Sequence, residues 1–155
     1  MKIGIVVHSK TGNTYSVAER LSNALLQVEH EVALEKVMTK DDKQKDPRKI
    51  EIKDKPKISD YDALIFGAPV WAFSLSTVMT AYLKQVGSMQ GKKVICYVTH
   101  AFPYPWLGGS RAVGQMIKLC QEMGADVIET GIINWSNKQR EAEITGLVER
   151  ASELF

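Results

Sequence analysis

The sequence has few of the features that mark secreted or membrane-spanning proteins. It has two cysteines, Cys96 and Cys120, and they do not form a Cys-x-x-Cys pair. This spacing argues against a redox-active cysteine pair. It is consistent with two thiols that are buried in the core of a protein from a reducing compartment. No apolar run approaches the ~20 residues of a membrane helix, and an apolar strand starting at residue 2 leaves no room for a signal peptide. We therefore expect a cytoplasmic protein without a metal site.

Neither sign of charge predominates, because the sequence has 20 Lys and Arg residues and 18 Asp and Glu residues. Residues 39–57 depart from this balance, with a net charge of +3 against −1 for the rest of the chain. No aromatic residue interrupts this basic run, so we interpret it as a solvated loop and expect no nucleic-acid partner. At 155 residues and 45% hydrophobic content, the chain is long enough for one domain, which we expect over residues 1–155.

Apolar strands alternate with amphipathic helices along the whole chain. This alternation predicts an α/β fold, a parallel sheet covered on both faces. With right-handed crossovers, five such units fit a doubly wound three-layer sandwich in strand order 2-1-3-4-5. The predicted strands are 3–7, 31–37, 62–67, 93–99 and 126–133, and the apolar helical stripes run through 17–28, 75–86, 113–123 and 144–154.

Three local features refine this prediction. Between residues 38 and 60 we expect a short helical turn or a strand fragment at Ile50 and Ile52, because a structureless loop of that length is unusual. Gly124 is placed to end the third of these helices. Ser136 and Gln139 have the spacing of a capping box for the last helix.

The most informative stretch lies between the first strand and the first helix. The helix begins in this stretch, and its first backbone N–H groups have no partner within the helix. These free N–H groups and the helix dipole favour a bound anion. One hydroxyl here is typical of a simple helix cap, but three hydroxyls and an amide around a glycine favour a terminal phosphate monoester. The glycine motifs of other nucleotide-binding loops are absent. The stretch consists of Ser9, Lys10, Thr11, Gly12, Asn13 and Thr14.

Two aromatic loops should meet the first one at the carboxyl edge of the sheet. The loop 68–76 contains Trp71 and Phe73, and the loop 99–111 contains three further aromatics with two prolines and two glycines. Taken singly, each of these aromatics is explained equally well by packing against the core and by contact with a ligand. Five of the twelve aromatics in two such loops instead favour a flat ring beside the phosphate, and a planar cofactor with one terminal phosphate is FMN.

The chain resembles the flavodoxin-like superfamily, closest to its NAD(P)H-dependent FMN oxidoreductases. Ser9, Gly12, Thr14, Ala18 and Leu21 fall at the spacing of the family's phosphate loop, while Val7 stands where an aromatic is usual. The segment from Gly67 to Trp71 and the pair Gly108 and Gly109 extend the likeness. It implies that residues 9–14 hold the phosphate, and that two further sets border the isoalloxazine ring: Pro69, Val70, Trp71, Ala72 and Phe73, and His100, Ala101, Phe102, Gly108 and Gly109.

The choice between electron carrier and reductase depends on two departures from flavodoxin carriers. Carriers stabilise the one-electron state with a turn that favours glycine or asparagine, and residues 69–76 contain neither. Carriers are also acidic, whereas this chain has a pI of about 8.5. We therefore prefer a reductase that passes electrons from NAD(P)H to a quinone, nitroaromatic or similar flat acceptor.

Within this interpretation His100 is the candidate proton or hydrogen-bond donor to the acceptor. The alternatives are a flavodoxin-type electron carrier and a non-catalytic flavin-binding sensor or interaction module. The expected partners are a small-molecule acceptor or a redox protein, with no membrane partner. Exposed aromatics in the loop 99–111 are compatible with a homodimer that completes the flavin site.

Overall fold

The structure, a computed structural model, describes residues 1–41, 43–101 and 108–155. Strands alternate with helices along these residues, as their apolar periodicity predicts. The strands are β1 (Lys2–Val7), β2 (Glu31–Lys36), β3 (Met38–Thr39), β4 (Ile52–Lys53), β5 (Ala63–Trp71), β6 (Ser74–Leu75), β7 (Lys93–His100) and β8 (Asp126–Asn134). The helices are α1 (Asn13–Gln27), α2 (Thr77–Gln85), α3 (Gly109–Glu122) and α4 (Arg140–Leu154).

The five long strands form a parallel sheet in the order β2-β1-β5-β7-β8. This is the predicted 2-1-3-4-5 order once the three two-residue strands are set aside, so the predicted fold class is confirmed. The order places β1 and β5 side by side at the centre. The loops that follow β1, β5 and β7 consequently meet at one edge of the sheet.

The sheet buries apolar side chains on both faces. One core cluster packs beneath α1 and α4, and the other packs beneath α2 and α3. Cys96 on β7 and Cys120 on α3 belong to the second cluster, with their Sγ atoms 3.9 Å apart. The contact with Cys120, together with burial, raises the pKa of the Cys96 thiol well above its usual value. Both cysteines are free and buried, which confirms the prediction of core packing.

Helix ends follow the sequence signals in one case and depart from them in another. Gly124 has φ 92°, and the bonds from Gly124 N to Gln121 O and from Ala125 N to Cys120 O form a Schellman motif. The predicted capping box of α4 is wrong. Its N-cap is Gln139 without a side-chain cap, and the Ser136 hydroxyl donates instead to Ala101 O.

Two predicted boundaries also change. In the segment 38–60, the strand fragment is confirmed at Ile52, where β4 pairs with β3. The third predicted strand was too short, because β5 continues to Pro69 through its pairing with β7 and to Trp71 through its pairing with β6. Among the described residues, no helix is long and apolar enough to cross a membrane.

Candidate functional site

The loop after β1 offers an anion site built from backbone N–H groups. Gly12 is the N-cap of α1 with φ 96°, a left-handed conformation in which glycine is unstrained. Within the described part of the chain, the N–H groups of Thr11, Asn13 and Thr14 donate to no protein atom. Because they stand at the positive end of a 15-residue helix, these groups favour a bound anion.

The hydroxyls of this loop are not equivalent. Ser9 Oγ accepts hydrogen bonds from Gly12 N at 3.1 Å and Tyr15 N at 3.3 Å, so it caps the helix in this structure. The Thr14 hydroxyl is buried and lies 2.7 Å from Thr99 Oγ1 on β7. The simple capping interpretation therefore applies to Ser9, while Thr14 points towards the sheet. Thr11 stays exposed at the loop surface.

The segment after β5 is a tight hairpin and not the open loop that the sequence predicted. Val70 pairs with Leu75 and Trp71 with Ser74, which leaves Ala72 and Phe73 as a two-residue turn. Their φ values are 47° and 62°, typical of a type I′ turn. This corrects the sequence argument, because the turn adopts positive φ without glycine or asparagine. A side chain in this region costs about 1–2 kcal/mol per residue.

Three contacts hold the 70–75 hairpin in this conformation. Leu75 N donates to Gln115 Oε1 on α3 at 2.8 Å, and Ser76 N donates to Pro69 O at 3.1 Å. A Cβ atom on Gly108 would lie 2.6 Å from Phe73 Cα, so the absence of a side chain there lets the start of α3 press against the turn. The surrounding packing therefore imposes the strained turn.

The third predicted segment is described only in part. Phe102 lies outside the described residues. His100 is buried at the end of β7, and a Cβ atom on Gly109 would lie 3.3 Å from its Nε2. Gly108 and Gly109 thus allow close backbone approach, as expected, and their atoms approach Phe73 and His100. A role of either glycine in cofactor binding stays a prediction.

Cavities connect the three segments. A cavity of about 210 Å³ is lined by Thr11, Asn13, Pro69, Val70, Trp71, Thr99, His100 and Ala101. Another, of about 700 Å³, is lined by Lys10, Lys45, Val70, Trp71, Ala72, Thr77 and Ala101. The structure therefore brings the predicted phosphate and ring segments together around shared space. Free N–H groups at one end and apolar walls beside them fit the phosphate and the flat ring of FMN.

Trp71 lines both cavities, together with Val70 and Ala101. The contacts of its ring were not predicted from the sequence. Its ring lies edge-on to the His8 ring with centroids 4.9 Å apart, and Lys10 Nζ lies 5.9 Å from its centre. His8 Nδ1 is 2.9 Å from Ser76 Oγ, the N-cap of α2. The sequence interpretation did not assign His8 to the site, although its place directly after β1 was a usable signal.

Sequence reasoning also missed the groups beneath the phosphate loop. Tyr97 Oη donates to Thr14 O at 2.7 Å, and Thr99 contacts the Thr14 hydroxyl. These residues lie two apart on β7 and so face the same side of the sheet. That alternation near a strand end was the available signal. Among the described residues, no group of three His, Cys, Asp or Glu side chains is placed to hold a metal ion.

The strand order, the anion loop after β1 and the hairpin after β5 together define a flavodoxin-like α/β protein. The sequence pattern of NADPH-dependent FMN reductases matches residues 1–140, so the chain belongs to that family. It is therefore an FMN-binding flavoprotein and an oxidoreductase, in a family whose reductant is NADPH. No curated protein sequence matches the chain.

Solved structures agree with this fold. Oxidised flavodoxin 1 from Bacillus cereus is 21% identical with a TM-score of 0.73, over 99% of this chain and 96% of that one. Flavodoxin 2 from the same organism is 20% identical with a TM-score of 0.73 over all of both chains. An azoreductase from Bacillus anthracis str. Sterne is 14% identical with a TM-score of 0.66, over 99% of this chain and 98% of that one.

Proposed function

We propose that the protein takes electrons from NADPH and passes them to a small flat acceptor, such as a quinone or a nitroaromatic. The observation that carries this proposal is the cavity of about 700 Å³ beside the 70–75 hairpin. Its size is typical of small-molecule sites, and Val70, Trp71 and Ala101 give it an apolar wall. The structural likeness to an azoreductase supports a flat substrate.

In this proposal each segment has a separate binding task. The N–H groups of Thr11, Asn13 and Thr14 hold the FMN phosphate, with Ser9 and Lys10 beside them. Residues 69–73 border the ring and shield one side of it from water. The redox chemistry is that of the flavin, and the protein supplies binding, orientation and electrostatics.

His100 keeps its proposed role as hydrogen-bond donor to the acceptor. It lines the cavity of about 210 Å³ next to Pro69 and Val70, which places it at the junction of two site segments. If it acts on the acceptor, His100→Phe lowers kcat/KM for the acceptor and alters its pH profile, with reduction by NADPH unchanged. Equal losses in both half-reactions would assign His100 to packing.

An anaerobic titration tests the proposed reaction. We expect one equivalent of NADPH to bleach the visible absorbance of the bound flavin, and a quinone added afterwards to restore it. A flavin that stays oxidised with excess NADPH would contradict the proposal, and so would a colourless protein that does not take up added FMN. Parallel titration with NADH measures the preference for the reductant.

A flavodoxin-type carrier is the second candidate, and the left-handed turn at Ala72 and Phe73 favours it. Carriers use such a turn beside the ring, and positive φ is present here without glycine. A carrier would show no reduction by NADPH, while dithionite would reduce the bound flavin in two separate one-electron steps. The same anaerobic sample therefore distinguishes the two candidates.

A further inference from the structure

We propose that Tyr97 and Thr99 on β7 are positioning residues that hold the phosphate loop in its binding shape. Through this role they set the preference of the site for FMN over riboflavin. The inference rests on the proposed placement of the FMN phosphate at residues 9–14. Neither residue belongs to the predicted cofactor-binding set, and neither has to touch the ring.

Tyr97 reaches the loop through a gap that Gly67 provides. The two residues are partners in the pairing of β5 with β7, and a Cβ atom on Gly67 would overlap the Tyr97 ring. The fully buried ring therefore crosses β5 at the glycine, and its Oη donates to Thr14 O at 2.7 Å. Burial raises the pKa of Tyr97 well above its usual value, so the hydroxyl stays a donor.

Thr99 makes a second bond to the same residue. Its Oγ1 lies 2.7 Å from Thr14 Oγ1, and both side chains are buried. Two hydrogen bonds, one to the carbonyl and one to the side chain of Thr14, thus join the first turn of α1 to the central sheet. Fixing both groups fixes the orientation of the peptide units on either side of Thr14, which carry the N–H groups of Thr14 and Tyr15. The Thr14 N–H faces the proposed phosphate site, and the Tyr15 N–H donates to Ser9 Oγ within the same loop.

The two hydrogen bonds to Thr14, from Tyr97 and Thr99, are called the Thr14 anchor below. We expect this anchor to affect binding of the phosphate and not binding of the ring. Preorganised N–H groups bind an anion more tightly because binding does not have to order them first. Riboflavin lacks the phosphate and makes no use of those groups. Loss of the anchor should therefore weaken FMN binding selectively, whereas general loss of stability should affect both flavins alike.

Tyr97→Phe tests the anchor, and Tyr82→Phe is a matched control. Tyr82 is also a fully buried tyrosine, and its Oη donates to Pro56 O at 2.6 Å on the other side of the sheet. Each variant loses one buried hydroxyl-to-carbonyl bond. The full-length chain is freed of flavin and titrated with FMN and with riboflavin by flavin fluorescence.

We expect Tyr97→Phe to lower the FMN affinity about fivefold to tenfold, the ratio that corresponds to a hydrogen bond of about 1 to 1.4 kcal/mol. Its riboflavin affinity should match that of the wild type, and Tyr82→Phe should change neither affinity. Equal losses for both flavins in Tyr97→Phe, or an FMN loss that Tyr82→Phe reproduces, would overturn the inference. A wild-type chain without preference for FMN would instead overturn the proposed phosphate site.

A second pair of variants covers the case in which Tyr97→Phe does not fold. Thr99→Val removes the hydroxyl at nearly constant volume, and Thr99→Ser retains it. We expect Thr99→Val to lose FMN affinity selectively and Thr99→Ser to keep it. If the ratio of FMN affinity to riboflavin affinity is the same in these two variants, the proposed role of the Thr99 hydrogen bond is contradicted.

Discussion

Replacement of Ala72 by glycine should stabilise the protein, although glycine usually destabilises. Ala72 has φ 47° at the tip of the 70–75 hairpin, and its side chain is exposed. The left-handed conformation costs a residue with Cβ about 1–2 kcal/mol. Glycine gains about 0.4–1 kcal/mol of unfolded-state entropy, which opposes the relief of strain. The net expectation is a free energy of unfolding higher by about 0.5–1 kcal/mol.

Thermal unfolding of the flavin-free chain measures this effect, with Ala142→Gly as the control. Ala142 is exposed in the helix α4, where glycine costs about 1 kcal/mol. We expect Ala72→Gly to raise Tm by about 2 °C and Ala142→Gly to lower it by about 2–4 °C. If both variants lower Tm alike, Ala72 is not strained and the described turn is wrong.

Gly67→Ala should lower Tm, because overpacking against the Tyr97 ring costs about 1–3 kcal/mol, whereas Gly114→Ala on the open surface of α3 should raise it. Thermal unfolding of both variants checks the contrast, and a neutral Gly67→Ala would contradict the described packing. Burial, and then the hydrogen bond to Glu35, raise the pKa of Tyr61 to about 12. Because the unfolded chain loses this proton near pH 10, the stabilisation is present below pH 10 and is lost as the pH rises towards about 12. Urea unfolding across that range should show a smaller decline for Tyr61→Phe than for the wild type, and equal declines would refute the assignment.

Most of the fold was predictable because apolar periodicity is a local signal. The end of β5 was not. Residues 68–71 contain Pro69 and follow Gly67, which locally favours a loop. They form a strand because Pro69 pairs with Thr99, thirty residues further along the chain, and because Val70 and Trp71 pair back with β6. The pairing of Pro69 with Thr99 is long-range and cannot be inferred from the local composition, and the hairpin at 70–75 contains no glycine or asparagine that would indicate its turn.

The position of the candidate site was predictable to a similar degree. Residues 9–14 lie at the carboxyl edge of the sheet, as predicted, because the loop that follows a central parallel strand must begin at that edge. The directions of the hydroxyls were not predictable, because Ser9 and Thr14 look alike in sequence. Their directions depend on where α1 begins and on the φ of Gly12. The support from Tyr97 depends on the strand register with Gly67.

The most direct test of the FMN site is a backbone amide NMR spectrum of the flavin-free chain titrated with FMN and, separately, with riboflavin. We predict that the amide protons of Thr11, Asn13 and Thr14 shift strongly downfield with FMN, because they donate to the phosphate. With riboflavin these three should stay near their free positions, while residues of the 70–75 hairpin respond to both flavins. FMN binding that leaves all three amide protons unchanged would contradict the central claim.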